Sequence, residues 1–174
     1  MEESNQFSVK DASIKNGITL GLVLTVYFFI LTFAGQAGNQ TLGYINYLII
    51  GAFIFLGHKS YKENGSGFMS FGAGLGIGTL TTLLGSIISI IITYFYVKFV
   101  DDSMIAFARD KAIEDLEKRG MSGAEMDQAM GFAETFLKPE VMFPIAMVVT
   151  VFMGFVISII ITIFTNKKDP SLEL

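Results

Sequence analysis

Four glycines alternate along residues 72–78 (GAGLGIG), and glycine-rich runs of this kind bind phosphate groups in nucleotide-binding proteins. A dinucleotide-binding fingerprint requires a third glycine where this chain has Thr79, and a P-loop requires a lysine followed by serine or threonine. No lysine follows the run before Lys98, and no strand is predicted ahead of it. The run therefore does not predict a nucleotide site.

His58 is the only histidine, and the chain contains no cysteine. One imidazole without thiolates cannot complete the nitrogen and sulfur ligand sets that hold zinc. Because His58 falls at the end of a predicted helix beside Lys59, we expect a solvated side chain at the membrane interface. The acidic residues at 110–117 lack the glycine-punctuated oxygen spacing of calcium loops, so we expect a solvated helix face there. The sequence predicts no metal and no cofactor.

Catalytic groups are equally sparse in the apolar part of the chain. Hydrolysis inside a membrane requires a nucleophile with a base or a pair of carboxylates, and the apolar segments offer hydroxyl groups without either. The net charge of −4 arises mainly in one loop and is not the basic stripe of a nucleic-acid-binding protein. We therefore predict that the protein is not an enzyme and does not bind nucleic acid.

Full charges are absent from three long stretches, residues 16–58, 64–97 and 141–166. A helix that crosses about 30 Å of hydrocarbon needs roughly 20 apolar residues, and 52% of this chain is apolar. The first stretch is long enough for two crossings and is interrupted by the polar run AGQAGNQT, which is typical of a turn. The sequence predicts an all-α polytopic membrane protein with four transmembrane helices, at about 17–34, 42–57, 71–99 and 141–165.

Residues 101–140 are rich in charge, yet apolar side chains recur among them at helical spacing. Gly120 is expected to end one helix, and SGAE at 122–125 fits a capping box that would begin the next. Pro139 is expected to begin the last membrane helix. The segment therefore predicts an extramembrane helical hairpin between the third and fourth transmembrane helices.

Met126, Met130 and Phe136 share one apolar side of this hairpin. Methionine adapts to irregular partners, so the side could be a surface for a partner protein. The alternative is that it packs on the bundle or on the other helix of the hairpin, which is the commoner fate of an amphipathic stripe.

Small residues recur along two of the predicted transmembrane helices, and such rows let helix backbones approach closely in lipid. They are Gly17, Gly21 and Thr25 in the first helix and Gly74, Gly78, Thr82 and Ser86 in the third. Aligning the two rows pairs Gly17 with Gly74 and Gly21 with Gly78. This match is either a chance result of common small residues or the sign of two parallel hairpin repeats related by a twofold axis along the membrane normal.

Asn46 lies early in the second helix, where we expect an interhelical hydrogen bond more often than a substrate contact.

The basic residues of the termini and of the loop after the second helix would lie on one side of the membrane. They are Lys10, Lys15, Lys59, Lys62, Lys167 and Lys168. Residues 98–138 also include six basic residues, so the count alone does not decide the orientation. The positive-inside rule gives most weight to residues near helix ends, and the first hairpin turn has no Lys or Arg. Both termini are therefore predicted to be cytoplasmic.

The order of these segments resembles a known family. The features that carry the resemblance are the leader with IKNGITLG, the second hairpin opened by GFMSFGAGLGIG, the helix end YFYVKFVDD and the acidic insert before a last apolar helix. In these features the chain is similar to bacterial membrane proteins catalogued as domain of unknown function 4199, found mainly in Bacteroidota. The resemblance implies a four-helix inner-membrane protein and supplies no activity.

Two functions follow as expectations. The first is an interaction or assembly component of the bacterial inner membrane, which contacts lipid and either a second copy or another membrane protein through the hairpin. The alternative is a small transporter or channel subunit that encloses a polar route as a homo-oligomer.

Overall fold

The computed structural model describes residues 7–167, and this part of the chain is almost entirely helical. The helices are α1 (Val9–Phe33), α2 (Gln40–Gly43), α3 (Ile45–Asn64), α4 (Phe71–Phe99), α5 (Ser103–Lys118), α6 (Ala124–Leu137) and α7 (Pro139–Thr165). Four helical segments are long and apolar enough to cross a membrane, namely α1, α2 with α3, α4, and α7. The predicted all-α polytopic membrane fold is confirmed.

α1 begins at Val9, eight residues before the predicted start at 17. The cause is a capping box that the sequence analysis missed: the Asp11 amide donates to Ser8 Oγ at 3.2 Å, and the Ser8 amide donates to Asp11 Oδ2 at 2.9 Å. α3 likewise runs to Asn64 rather than ending at 57. Both helices therefore carry lysines on their ends.

α4 is the central helix, since it contacts α1, α3 and α7, and α3 also packs on α1 and α7. Close approach to α7 occurs wherever one helix has a small residue. A Cβ added to Gly74 would lie 2.6 Å from Thr162 Cγ2, and one added to Gly78 would lie 2.6 Å from Ser158 Cβ. Gly154 of α7 faces Thr82 in the same way, so the row on α4 lies against a second row on α7.

The small residues of α1 face α4 in a register that contradicts the repeat alignment. A Cβ on Gly17 would lie 3.1 Å from the Thr81 carbonyl, and one on Gly21 would lie 2.8 Å from the Gly85 carbonyl. A twofold axis along the membrane normal would set Gly17 level with Gly74. Gly17 instead lies level with a residue seven positions further along, which is about 10 Å along a helix.

The hairpin of α5 and α6 lies at one end of the bundle. Gly120, with φ of +80°, follows the end of α5, as predicted. The predicted capping box at Ser122 is wrong, because α6 begins after Gly123, whose φ is +58°, and no side chain caps the helix. Pro139 occupies the first turn of α7, as predicted. We call this end of the bundle the hairpin end and the opposite end, with Phe7 and Lys167, the terminal end.

Candidate functional site

His58 is fully buried, with 0% of its surface exposed, which overturns the expected solvated position. The expectation failed because α3 continues for more than a turn past residue 57 and carries His58 inside the bundle. Its Nε2 lies 2.8 Å from the Gly74 carbonyl of α4, and its Nδ1 lies 2.8 Å from Thr165 Oγ1 of α7. One side chain therefore joins three helices.

Hydrogen-bond roles at His58 follow from its partners. A carbonyl only accepts, so Nε2 carries a hydrogen and donates to Gly74. The Thr165 hydroxyl lies 2.8 Å from both Nδ1 and the Ile161 carbonyl, so it has two acceptors within reach. The ring is thus oriented from both sides, and its geometry suits a structural crosslink.

Further polar contacts close the terminal end around His58. Lys62 Nζ donates to the Thr165 carbonyl at 3.1 Å, and Ser158 Oγ donates to the Gly74 carbonyl at 3.3 Å. Met69 and Lys167 exchange two backbone hydrogen bonds of 2.9 Å, which fix the segment before α4 to the end of α7. This end of the bundle is therefore sealed by hydrogen bonds between elements.

An apolar layer separates the terminal end from the hairpin end. Leu20 and Leu24 of α1 pack with Ile50 and Ile54 of α3, and all four side chains are buried. Leu24 and Ile50 also form the floor of a cavity that lies on the hairpin side of this layer. The bundle is thus closed on one side of the layer and hollow on the other.

The cavity has a volume of about 260 Å³ and is enclosed by α1, α3, α4 and α7, with Met104 of α5 above it. Some polar groups in its wall are paired, since Tyr27 donates to the Leu42 carbonyl and Ser86 to the Leu83 carbonyl. Its other polar side chains form no hydrogen bond with any residue that the structure describes. They are Asn46, Ser89, Thr93 and Thr150.

Thr93 is the most informative of these residues, because only 7% of its surface is exposed and its hydroxyl lacks an intramolecular partner. Asn46 also lines the cavity, so the interhelical hydrogen bond expected for it is not formed within residues 7–167. The fully buried side-chain oxygens without a partner are those of Thr81 and Thr162, so the Thr93 hydroxyl opens onto the cavity, where water or a ligand can pair with it. The cavity therefore presents hydrogen-bonding groups for something other than protein.

A second depression, of about 560 Å³, lies between the turn before α2 and α5 and shares Ala37, Gly43, Tyr47 and Met104 with the cavity. Phe107 of α5 contacts Gly38 at its edge. Lys111 and Asp115 supply one charge of each sign to its wall. We call this depression the entry groove, because it connects the cavity with the surface at the hairpin end.

The predicted partner face is divided in the structure. Met126 and Met130 are half-buried on α6, which packs on α5, whereas Phe136 is 45% exposed. Phe132, which the sequence analysis did not select, is 70% exposed, and its ring centroid lies 5.0 Å from that of Phe136.

The charged side of the hairpin is paired along and across its helices. Arg109 of α5 binds Glu134 of α6 at 3.4 Å. Glu114 and Lys118 form an ion pair one turn apart within α5, and the Lys118 ammonium lowers the pKa of the Glu114 carboxyl below its usual value. Among residues 7–167, no three acidic or histidine side chains lie close enough together to hold a metal ion.

Comparison with known families agrees with this architecture. The model of the family described as "Protein of unknown function (DUF4199)" matches residues 15–167 of the chain. The chain belongs to this family. The match covers all four membrane segments of this family member together with its hairpin. No curated protein and no solved structure matches the chain.

Sequence reasoning had found parts of the cavity without recognising it. Ser89 and Thr93 follow the predicted row of small residues on α4 toward the hairpin end, where they line the cavity. Thr150 extends the facing row on α7 from Ser158 and Gly154 by one further turn. The four-residue spacing on both helices was the available signal, but it does not say where the packed rows separate.

Proposed function

We propose that this protein binds a small solute in the cavity at its hairpin end and serves as the solute-binding subunit of a transport system in the bacterial inner membrane. The observation that carries the proposal is the nearly buried, unpaired hydroxyl of Thr93 in the cavity wall. Ligand pockets typically combine apolar walls with a few convergent polar groups, which is the composition of this cavity.

The energetics of the lining favour an occupant. Elsewhere in the bundle, Thr25 and Thr82 donate to carbonyls one turn earlier, whereas the buried hydroxyls of Thr81 and Thr162 have no partner among the described residues. Leaving Asn46, Thr93 and Thr150 unpaired costs free energy that water or a solute can recover by hydrogen bonding. A polar solute that also packs against the apolar walls gains more binding free energy than water does.

The asymmetry of the bundle supports transport over simple storage. The cavity adjoins the entry groove at the hairpin end, while the terminal end is closed by the contacts of His58, Lys62 and Met69. Transporters open a binding site to one side of the membrane at a time. This arrangement matches a state that is open toward the hairpin.

The hairpin end is assigned to the extracytoplasmic side and both termini to the cytoplasm. Lys59, Lys62 and Lys167 lie at the terminal end, and Lys98 and Lys138 lie at helix ends on the hairpin side. The turn between α1 and α2 carries no Lys or Arg, which by the positive-inside rule favours a cytoplasmic terminal end. Lys168, which supported the same prediction, lies outside the described residues. Solute would then enter from outside the cell.

A role in assembly is the second candidate, and the exposed rings of Phe132 and Phe136 favour it. These rings lie outside the membrane segments, so lipid does not account for their exposure in the way that it does for the apolar faces of α1 and α7. They offer a contact for another copy of the chain or for a second membrane protein. A transport subunit with four membrane helices would need such a contact to enclose a complete pathway.

The proposed binding predicts that a solute stabilises the purified, full-length protein through Thr93. A library of small metabolites is screened by thermal unfolding in detergent, on the wild type and on Thr93→Val, which keeps the shape of the side chain and removes its hydroxyl. We expect at least one compound to raise the Tm of the wild type, with affinity reduced roughly ten-fold in Thr93→Val, because one hydrogen bond of about 1.4 kcal/mol is lost.

Thr79→Val is the matched control, since Thr79 is on the same helix and donates to the Leu75 carbonyl away from the cavity. It is expected to bind like the wild type. A library without any stabilising compound, or equal affinities for wild type and Thr93→Val, would contradict the proposed function.

A further inference from the structure

The cavity wall contains no ionised side chain. Its lining, among the described residues, is made of apolar, aromatic, hydroxyl and amide groups, and the charged side chains of Lys111 and Asp115 line the adjoining entry groove. An ion placed among neutral groups in the interior of a membrane protein loses its hydration without gaining a counter-charge, which costs several kcal/mol. The wall is therefore suited to an uncharged solute and unfavourable to an ion of either sign.

The unpaired groups all both donate and accept hydrogen bonds. Asn46 offers an amide NH₂ and a carbonyl oxygen, and the hydroxyls of Thr93 and Thr150 each offer a donor and lone pairs. A solute that pairs with this set needs donors and acceptors of its own. Hydroxyl and carboxamide groups meet that requirement without carrying charge.

The rest of the wall limits shape and size. Tyr27, Phe28 and Tyr47 present aromatic rings, and Leu24 and Ile50 close the floor. Pockets for drug-sized ligands usually span roughly 300–1,000 Å³, so a cavity of about 260 Å³ takes a smaller molecule. Aromatic walls favour a solute with a flat or compact ring that can lie against them.

The entry groove does not select for charge either. Lys111 and Asp115 place one positive and one negative group in its wall, so the wall itself carries no net charge. Selection for uncharged solutes therefore takes place in the cavity.

Together these features identify a ligand class. We infer that the cavity binds an uncharged, single-ring solute that carries hydroxyl or carboxamide groups, and that it rejects the carboxylate and ammonium forms of the same skeleton. This inference rests on the proposed function, because it names the chemistry of the solute that the same cavity would bind.

Two matched sets of compounds test the inference on the purified, full-length protein. The first is glucose, glucuronate and glucosamine, and the second is nicotinamide, nicotinate and 3-(aminomethyl)pyridine, compared by calorimetry at a pH where the acids and amines are ionised. We expect the uncharged member of at least one set to bind at least about ten-fold more tightly than both of its charged counterparts.

Asn46→Asp provides a second measurement, because it places a carboxylate in the cavity without changing the shape of the side chain. The variant is expected to reverse the preference by at least about ten-fold toward the ammonium compound of the set. Asn64→Asp makes the same change at the exposed terminal end, where the Asn64 amide donates to the Ser60 carbonyl, and is expected to leave the preference unchanged.

The outcomes separate the two proposals. Tighter binding of a carboxylate or ammonium compound by the wild type, with loss of that binding in Thr93→Val, would overturn the inferred class and leave the proposed function standing. Absence of binding by all six compounds and by the metabolite library would overturn both. If Asn46→Asp fails to fold, the comparison on the wild type still decides the class.

Discussion

His58 illustrates how a residue at the edge of an apolar segment can become part of the core. Its neighbours Lys59 and Lys62 indicate solvent, yet the ring points between α4 and α7 and finds one acceptor and one hydroxyl there. Lys62 reaches the Thr165 carbonyl from the same helix. Each partner comes from a segment more than ten residues away in sequence, so no local pattern around His58 announces the contact.

The geometry at His58 predicts that glutamine can replace it and leucine cannot. The glutamine amide can donate to the Gly74 carbonyl while its oxygen accepts from Thr165, whereas leucine makes neither of these hydrogen bonds. Interhelical hydrogen bonds in membrane proteins contribute about 0.6–1.7 kcal/mol each, so His58→Leu should lose about 1–3 kcal/mol of stability. Unfolding of the purified protein in mixed detergent measures this loss.

His58→Gln is the control for this substitution and should retain most of the wild-type stability. Because the chain has one histidine, ¹⁵N labelling of histidine gives a single imidazole, and the hydrogen is expected on Nε2. Wild-type stability in His58→Leu would show that the ring does not hold the helices together.

At the scale of the elements, α4 combines a packing helix and a cavity wall in one row of small residues at three- and four-residue spacing. At its terminal half, Gly74, Gly78 and Thr82 lie against α7 with almost no space between the backbones. At its other half, Ser89 and Thr93 continue the repeat but line the cavity. The same row of small residues therefore packs closely on α7 in one half of α4 and lines the cavity in the other.

The sequence was sufficient to predict the four membrane segments and the hairpin, because the length of an apolar run and the position of Gly120 and Pro139 are local properties. Helix ends were less predictable, since the capping of α1 by Ser8 and the extension of α3 past residue 57 depend on single side chains. The cavity could not be predicted, because it results from the relative register of α1, α4 and α7. That register is set by contacts such as Gly21 with Gly85 and Gly78 with Ser158.

Close packing of α1 on α4 predicts that Gly21→Ala is destabilising. The added Cβ would lie 2.7 Å from Ile88 Cβ and 2.8 Å from the Gly85 carbonyl, and a backbone atom cannot rotate away as a side-chain end can. Overpacking of this kind costs about 1–3 kcal/mol. The loss is measured by the shift of the unfolding transition in mixed detergent.

Gly72→Ala is the matched control in the first turn of α4. No atom lies within 4 Å of its added Cβ, and alanine favours the helix over glycine by up to about 1 kcal/mol in water. This variant should be as stable as the wild type or slightly more stable. Equal effects of the two substitutions would show that α1 and α4 are not packed at Gly21.

The whole molecule is asymmetric along the membrane normal. Its terminal end is joined by hydrogen bonds of His58, Lys62 and the Met69–Lys167 bridge, whereas its hairpin end holds the cavity, the entry groove and two exposed phenylalanines. An internal twofold repeat would make the two hairpins equivalent, and the register of α1 on α4 shows that the aligned residues are not. The proposed binding and assembly roles therefore both belong to the hairpin end.

The absence of cysteine allows one introduced thiol to test the orientation and the assembly role together. Phe132→Cys lies in the hairpin, and Ser66→Cys lies in the exposed loop between α3 and α4 at the terminal end. In spheroplasts, a membrane-impermeant benzophenone maleimide should label Phe132→Cys directly and Ser66→Cys only after lysis, because the hairpin is proposed to be extracytoplasmic. On irradiation, the probe at position 132 should then crosslink to a second polypeptide, which mass spectrometry identifies as another copy or a different protein. The reverse labelling pattern would show that the termini are extracytoplasmic. Correct labelling without any crosslinked polypeptide would argue against assembly through Phe132 and leave solute binding as the remaining role of the hairpin end.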